Sequence, residues 1–363
     1  MRVAEWSLHI YELPYDREVV WSNARERAGL FALLKLTSES GHTGVAEGTI
    51  KHTWSGVSPR SLAAALEDVI MPALSDIDIA DDSAMYAALA RIPENRLAKA
   101  LVSNACWTLR AAVAGKPLWQ LLGGREEADV CWTVTRRAPA EMAAESADYC
   151  ARYGFRTLKV KGGQGMETDL RALAEIRRAV PGVALYVDAN AAYARGEALD
   201  YVRRIAEAGA MVAEDPSPLA PDAQFEALQR GSPIPILVDG SCTSVRDAEL
   251  YLARGAKAIS LKPGRVGLSE SRRIGELVRA AGAASALGIY AESALGTLVN
   301  MHLPATLAAE QSFFLLMPSQ VVVQVPPIRG GRLRLPREPD LSRLVDWQAV
   351  QRYRVLDSGP GPG

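Results

Sequence analysis

Five short apolar runs between residues 157 and 262 each end on a charged residue, and those ends recur at a near-constant interval. The runs are Leu158-Lys-Val-Lys161, Ala184-Leu-Tyr-Val-Asp188, Met211-Val-Ala-Glu214, Ile236-Leu-Val-Asp239 and Ala258-Ile-Ser-Leu-Lys262. Their last residues lie 27, 26, 25 and 23 positions apart. Each interval holds one strand-like run and one stretch with helical apolar spacing, such as Glu167 to Val180. Strands that alternate with helices imply a parallel sheet. Val130–Val134 before the series and Ala284–Tyr290 after it extend the pattern to roughly seven or eight units over about 190 residues. That predicts a closed (β/α) barrel rather than an open sheet.

A barrel of this kind builds its active site at the C-terminal ends of its strands. Lys161, Asp188, Glu214, Asp239 and Lys262 are therefore expected around one rim. Three carboxylates at such a rim cannot all ionise without a counter-charge. Oxygen-only ligands, with no histidine or cysteine among them, favour Mg2+, with Mn2+ as a substitute, over zinc. Lys161 and Lys262 flank the carboxylates, roughly opposite each other across the mouth. A substrate carboxylate held between them would present its α-carbon to one amine on each face, and a Lewis-acidic ion would stabilise the developing enolate. An ordinary lysine is protonated at neutral pH, so one that accepts a proton needs a cation beside it. Lys159, on the same strand face as Lys161, is one candidate and the metal another.

The first 120 or so residues read differently. Val3–Tyr11 and Leu30–Thr37 are predicted strands, and Ser61–Leu74, Ser83–Ala90 and Asn95–Ala114 predicted helices. Leu122-Gly-Gly124 marks a boundary. With 41 Lys and Arg against 42 Asp and Glu, the net charge is −1. This argues against a nucleic-acid or anionic-membrane partner. Cys106, Cys131, Cys150 and Cys242 have neither metal-site nor disulfide-scaffold spacing, which fits a reducing, cytoplasmic compartment. Met1-Arg-Val-Ala-Glu-Trp does not read as a signal peptide. The broken run Ala280–Leu303 suits strands and turns better than a membrane span. The tail Ser358-Gly-Pro-Gly-Pro-Gly363 is expected to be flexible.

At the rim residues the chain resembles the enolase superfamily, and within it the muconate cycloisomerase (muconate-lactonising) subgroup; it is also similar to N-acylamino acid racemases, o-succinylbenzoate synthases and dipeptide epimerases. Lys159-Val-Lys161 resembles that subgroup's K-x-K, Asp188-Ala-Asn190 its D-x-N, and Glu214-Asp-Pro its E-x-P. Lys262-Pro-Gly-Arg-Val-Gly267 and Ala291-Glu-Ser-Ala-Leu-Gly-Thr297 resemble its later strand-end motifs. The resemblance implies an α/β fold, a modified TIM-type (β/α)7β barrel with an α+β capping domain. It divides the chain into a cap at 1–125, the barrel at 126–325 and a segment returning to the cap at 326–363. It implies Asp188, Glu214 and Asp239 as Mg2+ ligands, Lys161 and Lys262 as the acid/base pair, and Lys159, Asn190 and Glu292 in support. Cap loops would choose the substrate, a small carboxylate: Trp21 and Trp54 as an apolar lid, Arg25 or Lys51 for a second carboxylate. It also suggests a homo-oligomer. The histidine-using branch is disfavoured, because no histidine lies between residues 53 and 301. Two departures stand out. Asp239-Gly240-Ser241 replaces the common D-E-S, removing a carboxylate beside Lys262, and Gly267-Leu268 replaces a glycine pair.

These residues imply an enzyme that forms an enolate from a carboxylate, followed by cycloisomerisation or by racemisation or epimerisation. β-Elimination, as in a dehydratase or o-succinylbenzoate synthase, shares the first half. A Schiff-base lysine aldolase using Lys161 or Lys262 would leave the three carboxylates without a purpose. A non-catalytic barrel homologue is the remaining alternative, to which Gly240 lends weight.

Overall fold

The computed structural model describes residues 1–358, so most of the glycine- and proline-rich tail lies outside the described residues. Three antiparallel strands open the chain: β1 (Val3–Val20), β2 (Arg25–Ser38) and β3 (Thr43–Ile50). The helix Arg96–Ala114 packs across β3, with fourteen of its residues buried. It stops at Gly115, whose φ of 61° provides the left-handed cap that glycine adopts at least cost.

After a short strand β4 (Glu127–Asp129), the strands β5 (Trp132–Val134), β6 (Thr157–Lys161), β7 (Ala184–Asp188), β8 (Ala210–Glu214), β9 (Ile236–Val238), β10 (Ala258–Leu261) and β11 (Ala284–Leu287) follow, most with a helix after them. The last seven form one parallel sheet in which each strand neighbours its predecessor. The fold is thus α/β, a curled parallel sheet with a separate capping domain. The irregular segment 306–310 bridges the sheet's outer strands. Glu310 N donates to Leu287 O at 2.9 Å, and Cys131 N donates to Ala309 O at 2.8 Å. An eighth regular strand is absent among the described residues, because this segment makes only an isolated bridge, Val130 to Ala309. The chain then forms β12 (Ile328–Arg329), β13 (Arg332–Arg334) and β14 (Arg354–Ser358), the last pairing with β1. No described helix is long and apolar enough to cross a membrane.

Two-residue alternation sorts the sheet's side chains. Tyr186, Val212, Leu237, Ala258 and Ala286 form an apolar cluster of their own, apart from the main core. These positions share one parity along β7–β11. Two residues further on, the same parity reaches Asp188, Glu214, Asp239 and, from Ala258 by way of Ser260, Lys262. The charged ends are therefore carried on the sheet's inner face directly beyond a dry plug.

Cap and sheet are joined by buried polar contacts. Asn104 Nδ2 donates to Pro263 O at 3.1 Å, and Leu268 N donates to Asn104 Oδ1 at 2.7 Å. Glu47 on β3 accepts from Ser293 N at 2.9 Å and from the hydroxyls of Tyr11 and Ser293. Burial pushes the Glu47 carboxyl up to about 7. The fold thus prefers its protonated form. Its contribution to stability is full below the unfolded value of about 4.5 and is lost as pH rises through about 7. Glu47→Gln is expected to remove this dependence. Between pH 5 and pH 8, urea unfolding should shift by about 1–3 kcal/mol in favour of the variant relative to wild type. A constant difference across that range would contradict it.

Candidate active site

Lys161 and Asp188 are direct cross-strand partners, and so are Asp188 and Glu214. The order along the rim is Lys161, Asp188, Glu214, Asp239, Lys262, the first three ending β6, β7 and β8 and the last two falling one residue past β9 and β10. Lys161 Nζ lies 2.6 Å from Asp188 Oδ2, and Lys262 Nζ is hydrogen-bonded to Asp239 Oδ2. Asn190 secures Asp188 with its backbone N–H at 2.8 Å and its side-chain amide at 3.1 Å. Each outer lysine thus grips the carboxylate next to it, with Glu214 in the middle.

Lys159 sits one turn of the pleat below Lys161 and is 1% exposed. Its ammonium meets Asp188 at 3.1 Å, Glu214 at 2.7 Å and Glu310 at 2.8 Å. Burial opposes its charge, yet Glu214, Glu310 and Asp188 together hold it firmly as an ammonium. Asp188 is likewise buried, and Lys161 and Lys159 keep it below the usual carboxylate range. Glu214 stands where the negative charges crowd: burial and then Asp188 push its carboxyl well up, which favours the protonated form unless a further cation joins the site.

Glu310 carries no sequence signal. It arrives from the irregular segment after β11, outside the period that flags the other charges. Only its burial in the fold (0% exposed) reveals it. Arg265 lies inside the Lys262–Gly267 motif, but only the fold gives it a role: its guanidinium sits 3.2 Å from Asp239 Oδ1 and donates to the carbonyls of Asp239 and Cys242.

Among the described residues, no three acidic, histidine or cysteine side chains are grouped as ligands of a single ion, and lysines engage Asp188 and Asp239. Donor chemistry and charge nevertheless fit a hard divalent cation. The set is all oxygen, and with Glu310 and Asp215 counted, five carboxyl groups meet four cations, Lys159, Lys161, Lys262 and Arg265. Glu214 Oε2 and Asp239 Oδ1 are buried and accept no hydrogen bond, although Lys159 and Arg265 lie beside them.

A cleft of about 330 Å³ opens above the rim. Lys161, Lys262, Asp239 and Asn190 line it together with Trp21 and Trp54 from the cap. The two indoles meet edge to face at 5.0 Å, and Trp54 contacts Tyr290 at 5.2 Å. Lys51 is buried away from the cleft, paired with Glu26 and set 4.6 Å from the Trp21 ring. Burial lowers its pKa, with Glu26 opposing. Arg25 is exposed, 3.4 Å from Glu18, and does not line the cleft. Glu292 lies behind the wall, accepting from Tyr290 N at 2.7 Å and Asn300 Nδ2 at 3.1 Å.

The loops after these strands are conformationally unusual. Asn190, Ala191, Asp215 and Ala291 all have positive φ, between 37° and 59°. Non-glycine residues adopt this region at a cost, and such positions cluster at functional sites. Asp215 accepts hydrogen bonds from the N–H groups of Asp239 at 3.1 Å and Gly240 at 2.7 Å. A Cβ at position 240 would lie 3.0 Å from Asp215 Oδ2. Gly240→Glu is therefore expected to push a second carboxylate against Asp215 and reduce turnover at least tenfold, on the order of 1.4 kcal/mol. Gly240→Glu combined with Asp215→Asn should recover most of the loss in a kcat/KM comparison.

The chain matches the family described as Enolase C-terminal domain-like over residues 141–349. It also matches the Mandelate racemase / muconate lactonizing enzyme, N-terminal domain over residues 18–123. Muconate cycloisomerase 1 of Rhodococcus opacus is 29% identical over 359 residues, 95% of this chain and 96% of that protein. The o-succinylbenzoate synthase of Geobacillus kaustophilus is 29% identical over 318 residues, 85% of this chain and 81% of that protein. A substrate-liganded L-Ala-D/L-Glu epimerase from Bacillus subtilis superposes with a TM-score of 0.87 at 26% identity, covering 93% and 98% of the two chains.

Proposed function

Because the chain belongs to the enolase superfamily and is one of its enzymes, we propose that it abstracts the α-proton of a carboxylate substrate to form an enolate, as a cycloisomerase or a racemase/epimerase. The observation that carries this reading is the pair Lys161 and Lys262, facing one cleft from the two ends of the arc Asp188–Glu214–Asp239. One amine Nζ would take the α-proton on one face of the substrate, and the other Nζ would deliver a proton to the opposite face. Lys159, kept charged by its three carboxylates, supplies a fixed positive charge beside Lys161, both contacting Asp188 Oδ2. Trp21 and Trp54 would exclude water from above.

Asp188, Glu214 and Asp239 would hold Mg2+, which when bound supplies positive charge to stabilise the enolate. In this reading the segment 306–310 closes a (β/α)7β barrel, with the cap at 1–125, the barrel at 126–325 and the returning segment at 326–363. β-Elimination is a second reading favoured by the o-succinylbenzoate synthase likeness, since loss of a β-leaving group would begin from the same enolate.

The test is α-hydrogen exchange in D2O with Mg2+, followed by NMR, over a panel of carboxylic acids, acylamino acids and dipeptides. Exchange with at least one class, lost in EDTA and restored by Mg2+ or Mn2+, is expected. Absence of exchange across the panel would overturn the reading, and exchange undiminished by EDTA would overturn the metal assignment.

A further inference from the structure

Resting on the enolate-forming reading, we propose that Asp169 is a positioning residue for Lys161, locking the loop that Lys161 leads into against the loop that follows Asp188. Asp169 stands in the first turn of the helix Met166–Ala179 and is 3% exposed. Its carboxylate accepts four hydrogen bonds from neutral donors. Oδ2 accepts from Gly163 N at 2.7 Å, from the Tyr193 hydroxyl at 2.6 Å and from the Tyr201 hydroxyl at 3.0 Å; Oδ1 accepts from Gln164 N at 3.1 Å. Capping of its own helix explains none of the four. Gly163 and Gln164 precede that helix, and both tyrosines come from the next strand–helix unit. A buried carboxylate is costly unless its oxygens are filled, and here the donors that fill them belong to two active-site loops.

The first loop is Gly162-Gly-Gln164, directly after Lys161; the second runs from Ala189 through Asn190 to Tyr193, directly after Asp188. They are also joined by Gly162 N, which donates to Asp188 O at 2.9 Å. The packing is close enough to require glycine at 162, where a Cβ would lie 2.7 Å from the Tyr201 hydroxyl and 2.8 Å from Asp169 Oδ2. Tyr193 and Tyr201 stack with ring centroids 4.0 Å apart. Burial and then Asp169 push both hydroxyls well up, so both remain donors. Asp169, Tyr193 and Tyr201 stand outside the cleft lining and act only through what they hold. A proton carrier displaced by about 1 Å can lose on the order of 100-fold in rate. Lys262 is anchored separately, by Asp239 across the cleft, so loss of this lock should injure one face of the reaction only.

The test follows α-hydrogen exchange in D2O with Mg2+ on the separate enantiomers of acylamino acids, with Lys161→Arg and Lys262→Arg assigning each enantiomer to its amine. In Asp169→Asn, exchange of the Lys161-dependent enantiomer is expected to fall about 10- to 100-fold, in kcat rather than KM, with the other enantiomer within about threefold of wild type. Tyr193→Phe breaks only the bond between the loops and should show the same bias at about 3- to 10-fold. The double variant should lose no more than Asp169→Asn alone. Amide hydrogen exchange, read by mass spectrometry without substrate, should quicken in peptides covering 162–164 and 189–193 in both single variants. Thermal unfolding shows whether they fold. Equal slowing of both enantiomers, an unchanged rate, or undisturbed loops would overturn the proposal. Quickened loops together with no exchange of any acid by wild type would support the lock while overturning the enolate reading.

Discussion

Lys161→Ala and Lys262→Ala are each expected to lower turnover by about 10²–10⁴-fold, the range for losing a positioned proton carrier. Neither change should unfold the protein. Without Lys161, Asp188 keeps Lys159 and the two Asn190 donors; without Lys262, Asp239 keeps Arg265. Arginine substitutions separate proton transfer from simple charge. Arginine preserves the cation but cannot give up its proton at working pH. Lys161→Arg and Lys262→Arg should therefore be nearly as inactive as the alanine variants when kcat is measured on an exchanging substrate. Retention of more than about a tenth of wild-type turnover by either arginine variant would show that lysine acts there only as a charge.

Lys159→Met should have the largest effect on stability. It removes the ammonium shared by Asp188, Glu214 and Glu310, all three 1% exposed or less. Breaking a buried ion cluster from one side costs about 3–5 kcal/mol, because the remaining charges stay buried without compensation. Two features distinguish this from ordinary loss of packing. Glu214 would be pushed further up and Asp188 would lose part of what holds it down, so the deficit should shrink as pH falls from 8 to 5 and protons are taken up. Mg2+ should also restore the variant more than wild type, by supplying the missing charge. Urea unfolding with EDTA and with Mg2+ at both pH values measures each. An unchanged urea midpoint would contradict the charge cluster described here.

Much of this site is legible in the sequence because a strand's alternation is strict. Once Tyr186 and Val212 face inward, Asp188 and Glu214 must follow them, and the period of one strand plus one helix repeats that placement around the sheet. Glu310 escapes because it stands on an irregular segment, where no period says which way a side chain points. Lys51 and Arg25 escape for another reason. Both are cations in cap loops, and only tertiary contacts decide that one is buried against Glu26 while the other stays in solvent beside Glu18.

In the cap, β1 runs on to Val20 rather than ending at Tyr11, because pairing with β2 carries it through a polar stretch that propensity alone would leave as loop. Strand β3 is hidden by its small residues, and the packing demands at least one of them. A Cβ on Gly44 would come within 2.3 Å of Ala105 O on the helix that covers it. The helix expected over Ser61–Leu74 does form, but it widens at Ala65–Ile70 into a π-helical segment.

Anomalous diffraction from crystals grown with Mn2+ tests the central claim most directly. The expected result is one strong peak in contact with carboxylate oxygens of Asp188, Glu214 and Asp239, with Lys161 and Lys262 to either side. Full Mn2+ occupancy elsewhere, or no peak while the lysines still grip Asp188 and Asp239, would contradict it.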